Sequence, residues 1–149
     1  MDRLLEREVD QLSLKGRMLK SSLRRRRKLR ILLVDDHEIV RRGVLLLLRA
    51  EKNLQVCGEA ADGREAVQKA KELRPDAIVM DISMPNVNGL EASREIRRIL
   101  PHAKIVILSQ HNFAEMKRQA FAAGADEYVE KSAVSSELVA ALERREQKN

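Results

Sequence analysis

The chain has 149 residues, 44% of them hydrophobic and 35% charged, which suits one globular domain with an extra segment and excludes two full domains. The single cysteine excludes an internal disulfide and a four-cysteine zinc site, and it fits a reducing compartment. The formal charge of +6 is confined to one end, because residues 1–30 carry 11 basic and 4 acidic side chains whereas residues 31–149 carry 18 and 19. The basic charge therefore belongs to an N-terminal segment.

This N-terminal segment, residues 1–28, has the spacing of a short coiled coil. Apolar residues and one glycine follow a 4-3-4-3-4 spacing, at Leu5, Val9, Leu12, Gly16, Leu19 and Leu23. Either a frayed amphipathic or disordered leader is expected, or a helix that pairs with a copy of itself or with another protein. Residues 24–28 are five consecutive cations, typical of a solvated linker or a nonspecific electrostatic contact.

From residue 29 onward, short apolar runs alternate with segments of helical period, which indicates parallel strands joined by crossover helices. Strands are predicted at residues 30–34, 54–59, 77–80, 104–108 and 127–130. Five helices, one after each strand, are predicted from apolar residues at helical spacing, the first of which in each helix are Ile39, Ala66, Leu90, Phe113 and Val134. Pro75, Pro101 and Gly124 follow the second, third and fourth of these helices, where each should end.

No membrane segment is expected, because the longest apolar run, residues 44–48, is far too short to span a bilayer. Charges stand at the N-terminus where a signal peptide would be apolar, so a cytoplasmic protein is predicted. The chain has no Trp, one Tyr and two Phe, which gives little support for stacking on single-stranded nucleic acid. Cys57 is interpreted as a buried residue without a chemical role.

Four of the predicted strands end at polar residues. Asp35 and Asp36 follow the first strand, Asp81 the third, Ser109 the fourth and Lys131 the fifth. In an open parallel sheet, ligands bind outside the carboxyl ends of the strands, so these residues are expected to meet around one crevice. Each alone has a plain structural explanation, since Asp caps helices and Ser or Lys is common in loops. The repetition predicts a functional site.

The three carboxylates predict a Mg²⁺ site. Crowded carboxylates repel one another, and Mg²⁺ is a hard ion that prefers carboxylate and water oxygens. The spacing of His37, His102 and His111 offers no zinc site.

An aspartate beside Mg²⁺ can attack phosphorus and form an aspartyl phosphate, and Asp81 is the candidate nucleophile. The Ser109 hydroxyl can hydrogen-bond a phosphoryl oxygen of the product, and the Lys131 ammonium can neutralise another. A sharp turn is predicted after Asp81, in which Gly89 adopts backbone angles closed to other residues.

Residues 31–38 (ILLVDDHE), 81–89 (DISMPNVNG), 107–109 (ILS) and 128–131 (YVEK) resemble the receiver domain of two-component response regulators. The resemblance covers residues 29 to about 146. It implies a flavodoxin-like, doubly wound α/β fold with five parallel strands in the order 2-1-3-4-5, preceded here by an N-terminal helical extension. The implied division is a leader at residues 1–28 and a receiver domain at 29–149.

The resemblance also implies a function, which is Mg²⁺-dependent phosphotransfer from a histidine kinase or a histidine phosphotransfer protein to Asp81. Asp35, Asp36 and the backbone carbonyl of Ser83 would help Asp81 to bind Mg²⁺. Ser83 and Gln110 occupy positions that tune the lifetime of the phosphate. Such a domain is a regulatory phosphoacceptor and not an enzyme, although it can catalyse its own phosphorylation and dephosphorylation.

Ser109 and Tyr128 would form the family's switch, in which the hydroxyl moves toward the phosphoryl group and the ring follows inward. The switched surface would be the fourth helix, fifth strand and fifth helix of the domain. The alternative for Tyr128 is a ring that is simply packed on the last strand. A homodimer is expected through either this surface or the N-terminal helix.

Residues 34–43 (VDDHEIVRRG) and the pair Lys131-Ser132 are similar to the branch of the family that usually carries a C-terminal helix-turn-helix. Only 18 residues follow Lys131, so such a module is not expected in this chain and DNA binding is not predicted. Many members have Pro where this chain has Ser132, which removes the usual reason for a cis peptide bond.

Other function classes are less well supported. A hydrolase with an Asp nucleophile would use similar chemistry, but Ser83 stands where Asp-x-Asp phosphatases place a second carboxylate. A dinucleotide-binding domain fits the fold class, but Asp35 and Asp36 replace the Gly-rich phosphate loop after the first strand. A nucleic-acid-binding module would depend on the basic N-terminal segment alone.

Overall fold

The computed structural model describes residues 2–83 and 88–144. Its elements are α1 (Asp2–Arg26), β1 (Leu29–Val34), α2 (Glu38–Arg49), β2 (Leu54–Ala60), α3 (Gly63–Leu73), β3 (Ala77–Asp81), α4 (Gly89–Ile99), β4 (Lys104–Ser109), α5 (Ala114–Ala122), β5 (Glu127–Glu130), a 3₁₀ turn (Lys131–Ala133) and α6 (Val134–Glu143). The strands form one parallel sheet in the order β2-β1-β3-β4-β5, which confirms the predicted fold. Because α1 precedes the sheet, the fourth and fifth helices of the domain are α5 and α6.

The sheet is buried on both faces. Successive residues of β1 alternate between two apolar layers, with Leu32 and Val34 in one and Ile31 and Leu33 in the other. Buried residues of α3, α4 and α5 belong to the first layer, and those of α2 and α6 to the second. Burial on both faces explains why the three central strands, β1, β3 and β4, are nearly continuous apolar runs.

The predicted strands lie within one residue of the observed ones at each end. The predicted helix ends are also found. Arg74, in the left-handed conformation with φ of 47°, stands between α3 and Pro75, and Gly124, with φ of 104°, follows α5. Pro101 follows α4 after one intervening residue.

Two of the apolar residues from which the helices were predicted are exposed. Phe113 is the N-cap residue of α5, which begins at Ala114, and its side chain is 64% exposed. Ile39 lies in the first turn of α2, but it is 79% exposed, whereas Val44 of the same helix is buried. In α5 the buried residue is Ala120, and Met116 packs partly against the same layer.

Cys57 is half-buried and not fully buried as predicted. The register of β1 and β2 pairs Ile31 with Val56 and then Leu32 with Gly58, so Cys57 is the extra residue of a bulge. Its thiol points to the carbonyl oxygen of Ile31, at 3.4 Å, and burial raises the pKa of the thiol. The bulge places Cys57 outside the regular pairing of β1 and β2.

The N-terminal segment is helical over residues 2–26, and its pairing with a second helix stays a prediction. Immediately after α1, the guanidinium of Arg27 lies 3.9 Å from the carboxylate of Asp76, which precedes β3. Among the described residues, no helix is long and apolar enough to cross a membrane.

Candidate functional site

The carboxyl ends of β1, β3, β4 and β5 bring the predicted site residues to one edge of the sheet. The register of β3 and β4 pairs Asp81 with Leu108, so Ser109 lies one position beyond Asp81. The register of β4 and β5 pairs Ser109 with Glu130, and Lys131 comes directly after. Strand pairing alone therefore places these side chains side by side.

One ammonium group lies between two buried carboxylates. The Nζ atom of Lys131 is 3.2 Å from Oδ2 of Asp81 and 3.6 Å from Oδ2 of Asp35. The Lys131 side chain is 15% exposed, whereas those of Asp35 and Asp81 are 1% and 2% exposed. One positive charge cannot balance two negative charges in this poorly solvated place, so the centre keeps an excess of negative charge.

The backbone orients both carboxylates. Oδ1 of Asp35 accepts the N–H of His37 at 2.8 Å, and Oδ1 of Asp81 accepts the N–H of Ser83 at 2.9 Å. Oδ2 of Asp35 is buried and has no hydrogen-bond partner in the described part of the chain, since Lys131 lies beyond hydrogen-bond distance. Each carboxylate thus has one oxygen held by its own turn and the other turned toward the shared centre.

The pKa of Asp35 is raised above its ordinary value, chiefly because burial disfavours the charged form. The hydrogen bond from His37 acts in the opposite direction. The negative charge of Asp81 raises the pKa further, and the ammonium of Lys131 lowers it. The charged form of Asp35 is therefore disfavoured unless a further cation lies nearby.

The acidic centre fits a Mg²⁺ ion. Asp35, Asp36 and Asp81 each offer one carboxylate oxygen, and these oxygens lie within 4.8 Å of one another. Asp36 is exposed, which leaves one side of the centre open to water. An all-oxygen donor set with open positions and a partnerless buried oxygen matches the preference of Mg²⁺. In the two described ranges, no second cluster of three His, Cys, Asp or Glu residues with this spacing is found.

Gly89 is needed for a reason other than the predicted one. Its φ does not lie in the left-handed region, so the predicted special backbone angles are wrong. Instead, a Cβ atom at Gly89 would lie 2.1 Å from the carbonyl oxygen of Asp81 and 2.6 Å from Cα of Ile82. The start of α4 packs directly against the backbone of the Asp81 turn. Residues 84–87, which include the predicted Met84-Pro85 turn, lie outside the described residues.

The residue His111 connects Ser109 with Tyr128. Ser109 is fully buried, and its Oγ accepts the N–H of His111 at 3.1 Å. The hydroxyl of Tyr128 donates to the carbonyl oxygen of His111 at 2.5 Å. The Tyr128 ring packs against the apolar layer under α3–α5, and the ammonium of Lys117 lies 5.7 Å from the ring centroid. Ser109 is therefore connected to Tyr128 through two hydrogen bonds to the backbone of His111.

Sequence reasoning missed the support behind the acidic turn. Arg41, in the first turn of α2, donates from Nη1 to the carbonyl oxygen of Asp35 at 2.7 Å and from Nε to Glu59 at 3.1 Å. Lys69 of α3 binds both Glu65 and the carbonyl oxygen of Glu59. The sequence signal for this contact was Arg41, a cation in the turn of helix that follows Asp35 and Asp36. The atoms that Arg41 binds, however, depend on how α2 lies beside β2.

The remaining predicted residues lie at the edge of the site. Ser83 and Gln110 are exposed. The described residues contain no cis peptide bond, so the Lys131–Ser132 bond is trans as its sequence predicts.

Comparison with known proteins gives the same assignment. Residues 31–143 match the family described as response regulator receiver domain. The response regulator protein VraR of Staphylococcus epidermidis is 39% identical over 118 residues, which are 78% of this chain and 56% of VraR. The response regulator GacA of Pseudomonas viridiflava is 40% identical over 114 residues, 76% of this chain and 53% of GacA. The chain thus spans about half the length of the curated relatives it matches.

Solved structures agree with the sequence relatives. A LuxR-family two-component response regulator from an Aurantimonas species superimposes with a TM-score of 0.75 at 43% identity, over 78% of this chain and 83% of that one. The response regulator domain of Thermotoga maritima CheB gives 0.73 at 33% identity, over 78% and 94%. This chain therefore belongs to the response regulator receiver domain family.

Proposed function

We propose that this receiver accepts a phosphoryl group on Asp81 and thereby controls a signalling surface, within a domain that spans residues 29–149. The observation that carries the proposal is the contact of Asp81 with Lys131, at 3.2 Å, beside the partnerless oxygen of Asp35. A nucleophile, a cation and an unsatisfied anion at one point form a centre suited to a phosphoryl group. The donor would be a histidine kinase or a histidine phosphotransfer protein.

The reaction is a displacement at phosphorus. A carboxylate oxygen of Asp81 attacks the phosphorus of a phosphohistidine, the new O–P bond forms as the P–N bond breaks, and the electron pair leaves with the imidazole. Asp35, Asp36, Asp81 and the backbone carbonyl of Ser83 would hold Mg²⁺. The bound ion would supply positive charge beside the phosphoryl oxygens.

Lys131 and Ser109 suit the product. The Lys131 ammonium already faces Asp81 and, being 15% exposed, keeps most of its electrostatic strength beside a phosphoryl oxygen. The Ser109 hydroxyl is a donor that can bond another phosphoryl oxygen. Ser83 and Gln110 stand at the exposed edge, where their side chains would affect the access of water and hence the lifetime of the phosphate.

The proposed output surface consists of α5, β5 and α6. Phosphorylation replaces the single negative charge of the Asp81 carboxylate with about two on the phosphoryl oxygens, which would draw the Ser109 hydroxyl away from the His111 N–H. Because His111 also holds the Tyr128 hydroxyl, this change would shift the population of Tyr128 and of the surface around it. Shifts of NMR signals from this surface on addition of beryllofluoride test the switch. Unchanged signals there, with changed signals at Asp81, would contradict it.

Phosphorylation itself is tested with acetyl phosphate and mass spectrometry of the intact protein. We expect the wild type to gain one phosphoryl group when Mg²⁺ is present and none after chelation. Asp81→Asn should gain none. Asp62→Asn is the matched control, because Asp62 is the N-cap of α3, where Asn caps equally well, and it should be phosphorylated like the wild type. A gain that persists in Asp81→Asn would refute the assignment.

A further inference from the structure

Helix α1 presents an apolar strip to solvent. Leu5, Val9 and Leu12 occupy the core positions of its heptads and are 55%, 61% and 68% exposed. In the sequence, Gly16, Leu19 and Leu23 continue the 4-3-4-3-4 spacing of these residues. A 25-residue helix with an apolar strip of this kind is stable in water when another helix covers the strip.

The charges of this segment are separated along its length. Residues 2–10 carry four acidic and two basic side chains, whereas residues 15–28 carry eight basic and no acidic ones. The helix is therefore complementary to its own reversed copy. We propose that α1 forms an antiparallel pair with α1 of a second copy of this chain, independently of phosphorylation at Asp81.

The opposite orientation is disfavoured by charge. In a parallel pair, the eight cations of one copy would lie beside the eight of the other, and heptad positions would bring Lys15 against Lys20 of the second copy. In the antiparallel pair, the acidic end lies beside the basic end, and Glu6 faces Lys20 of the second copy. Electrostatics thus selects the orientation.

Packing favours the same orientation. A parallel pair would place Gly16 opposite Gly16 and leave a gap in the middle of the apolar strip. Antiparallel pairing that uses all six core positions places Leu12 opposite Gly16 of the second copy. A large side chain against a position without one fills that layer.

The first test is sedimentation equilibrium of the full chain. We expect a monomer–dimer equilibrium in which added salt raises the dissociation constant of the dimer. Only substitutions on the apolar strip of α1 should change this constant. Leu12→Glu should weaken the dimer by about 100-fold or more, because it puts a charge into the apolar strip of both copies. Leu14→Glu is the matched control, since Leu14 is 60% exposed but lies on the opposite side of the heptad, and it should leave the dimer unchanged.

The second test is the orientation. A spin label at Arg3→Cys, in a Cys57→Ser background, would lie opposite residue 25 of the second copy in the antiparallel pair. The axial offset of 22 residues then predicts a distance between labels of about 35 Å, against about 10 Å for a parallel pair. A wild type that stays monomeric, equal effects of the two leucine substitutions, or the short distance would each overturn the proposal.

Discussion

Replacing Gly89 with alanine tests whether α4 sets the position of Asp81. The added Cβ atom would lie 2.1 Å from the carbonyl oxygen of Asp81 and 2.9 Å from its carbonyl carbon. Normal contacts need at least 3.0 Å, so the oxygen or the helix must move by the difference between 2.1 and 3.0 Å. The obstructing atoms belong to the backbone, so a change of rotamer cannot relieve the contact.

Overpacking of this kind costs about 1–3 kcal/mol and sometimes more. Gly43→Ala is the matched control, because Gly43 lies inside α2 with nothing within 4 Å of the added Cβ atom. There alanine should raise the free energy of unfolding by about 0.5–1 kcal/mol through its higher helix propensity. Replacing glycine with alanine should thus lower the free energy of unfolding at Gly89 and raise it at Gly43.

Urea unfolding measures both effects, and phosphorylation by acetyl phosphate measures the functional one. A displacement of about 1 Å at a reacting group can slow a reaction by about 100-fold, so Gly89→Ala should be phosphorylated much more slowly than Gly43→Ala. A Gly89→Ala protein as stable and as rapidly phosphorylated as the wild type would refute the claim that α4 positions Asp81.

Three further substitutions test the surroundings of the site. Without Mg²⁺, Asp35→Asn should raise the free energy of unfolding by about 1 kcal/mol, because it removes a buried negative charge. Added Mg²⁺ should then stabilise only the wild type. A variant less stable than the wild type would contradict the claim that the negative charge of Asp35 lacks a sufficient partner. Arg41→Ala should lower the free energy of unfolding by about 1–3 kcal/mol and weaken Mg²⁺ binding, because the bonds to Asp35 and Glu59 are lost. The matched control is Arg42→Ala at the exposed neighbouring residue, which should change the free energy of unfolding by less than about 0.5 kcal/mol. Equal effects of the two substitutions in urea titrations would contradict this role of Arg41. Tyr128→Phe should lower the free energy of unfolding by about 0.5–1.5 kcal/mol, because the hydrogen bond to His111 is lost. In this variant the NMR signals of α5 should no longer shift when beryllofluoride is added. Shifts like those of the wild type would contradict the proposal that His111 links Ser109 to Tyr128.

The sheet and the polar edge could be predicted because their signals are local in sequence. Strands buried on both faces are continuous apolar runs, and the polar residues that directly follow the strands must lie at the carboxyl edge of a parallel sheet. Asp81 and Lys131 could therefore be placed together although they are 50 residues apart.

Other features depend on distances that appear only when the elements pack. The role of Gly89 comes from the approach of α4 to the Asp81 turn, and its sequence signal suggests a special backbone angle instead. Cys57 is half-buried because one residue of β2 bulges, which the apolar pattern does not encode. The bond from Arg41 to the Asp35 carbonyl oxygen depends on how α2 lies on the sheet.

The central claim is that Asp81 forms the acyl phosphate, and its location in the chain can be measured directly. After phosphorylation by acetyl phosphate, borohydride reduces an acyl phosphate to an alcohol, and fragmentation mass spectrometry then locates the reduced residue. We expect a single reduced residue, at Asp81, which disappears when Mg²⁺ is chelated. Reduction at Asp35 or Asp36, with Asp81 intact, would contradict it.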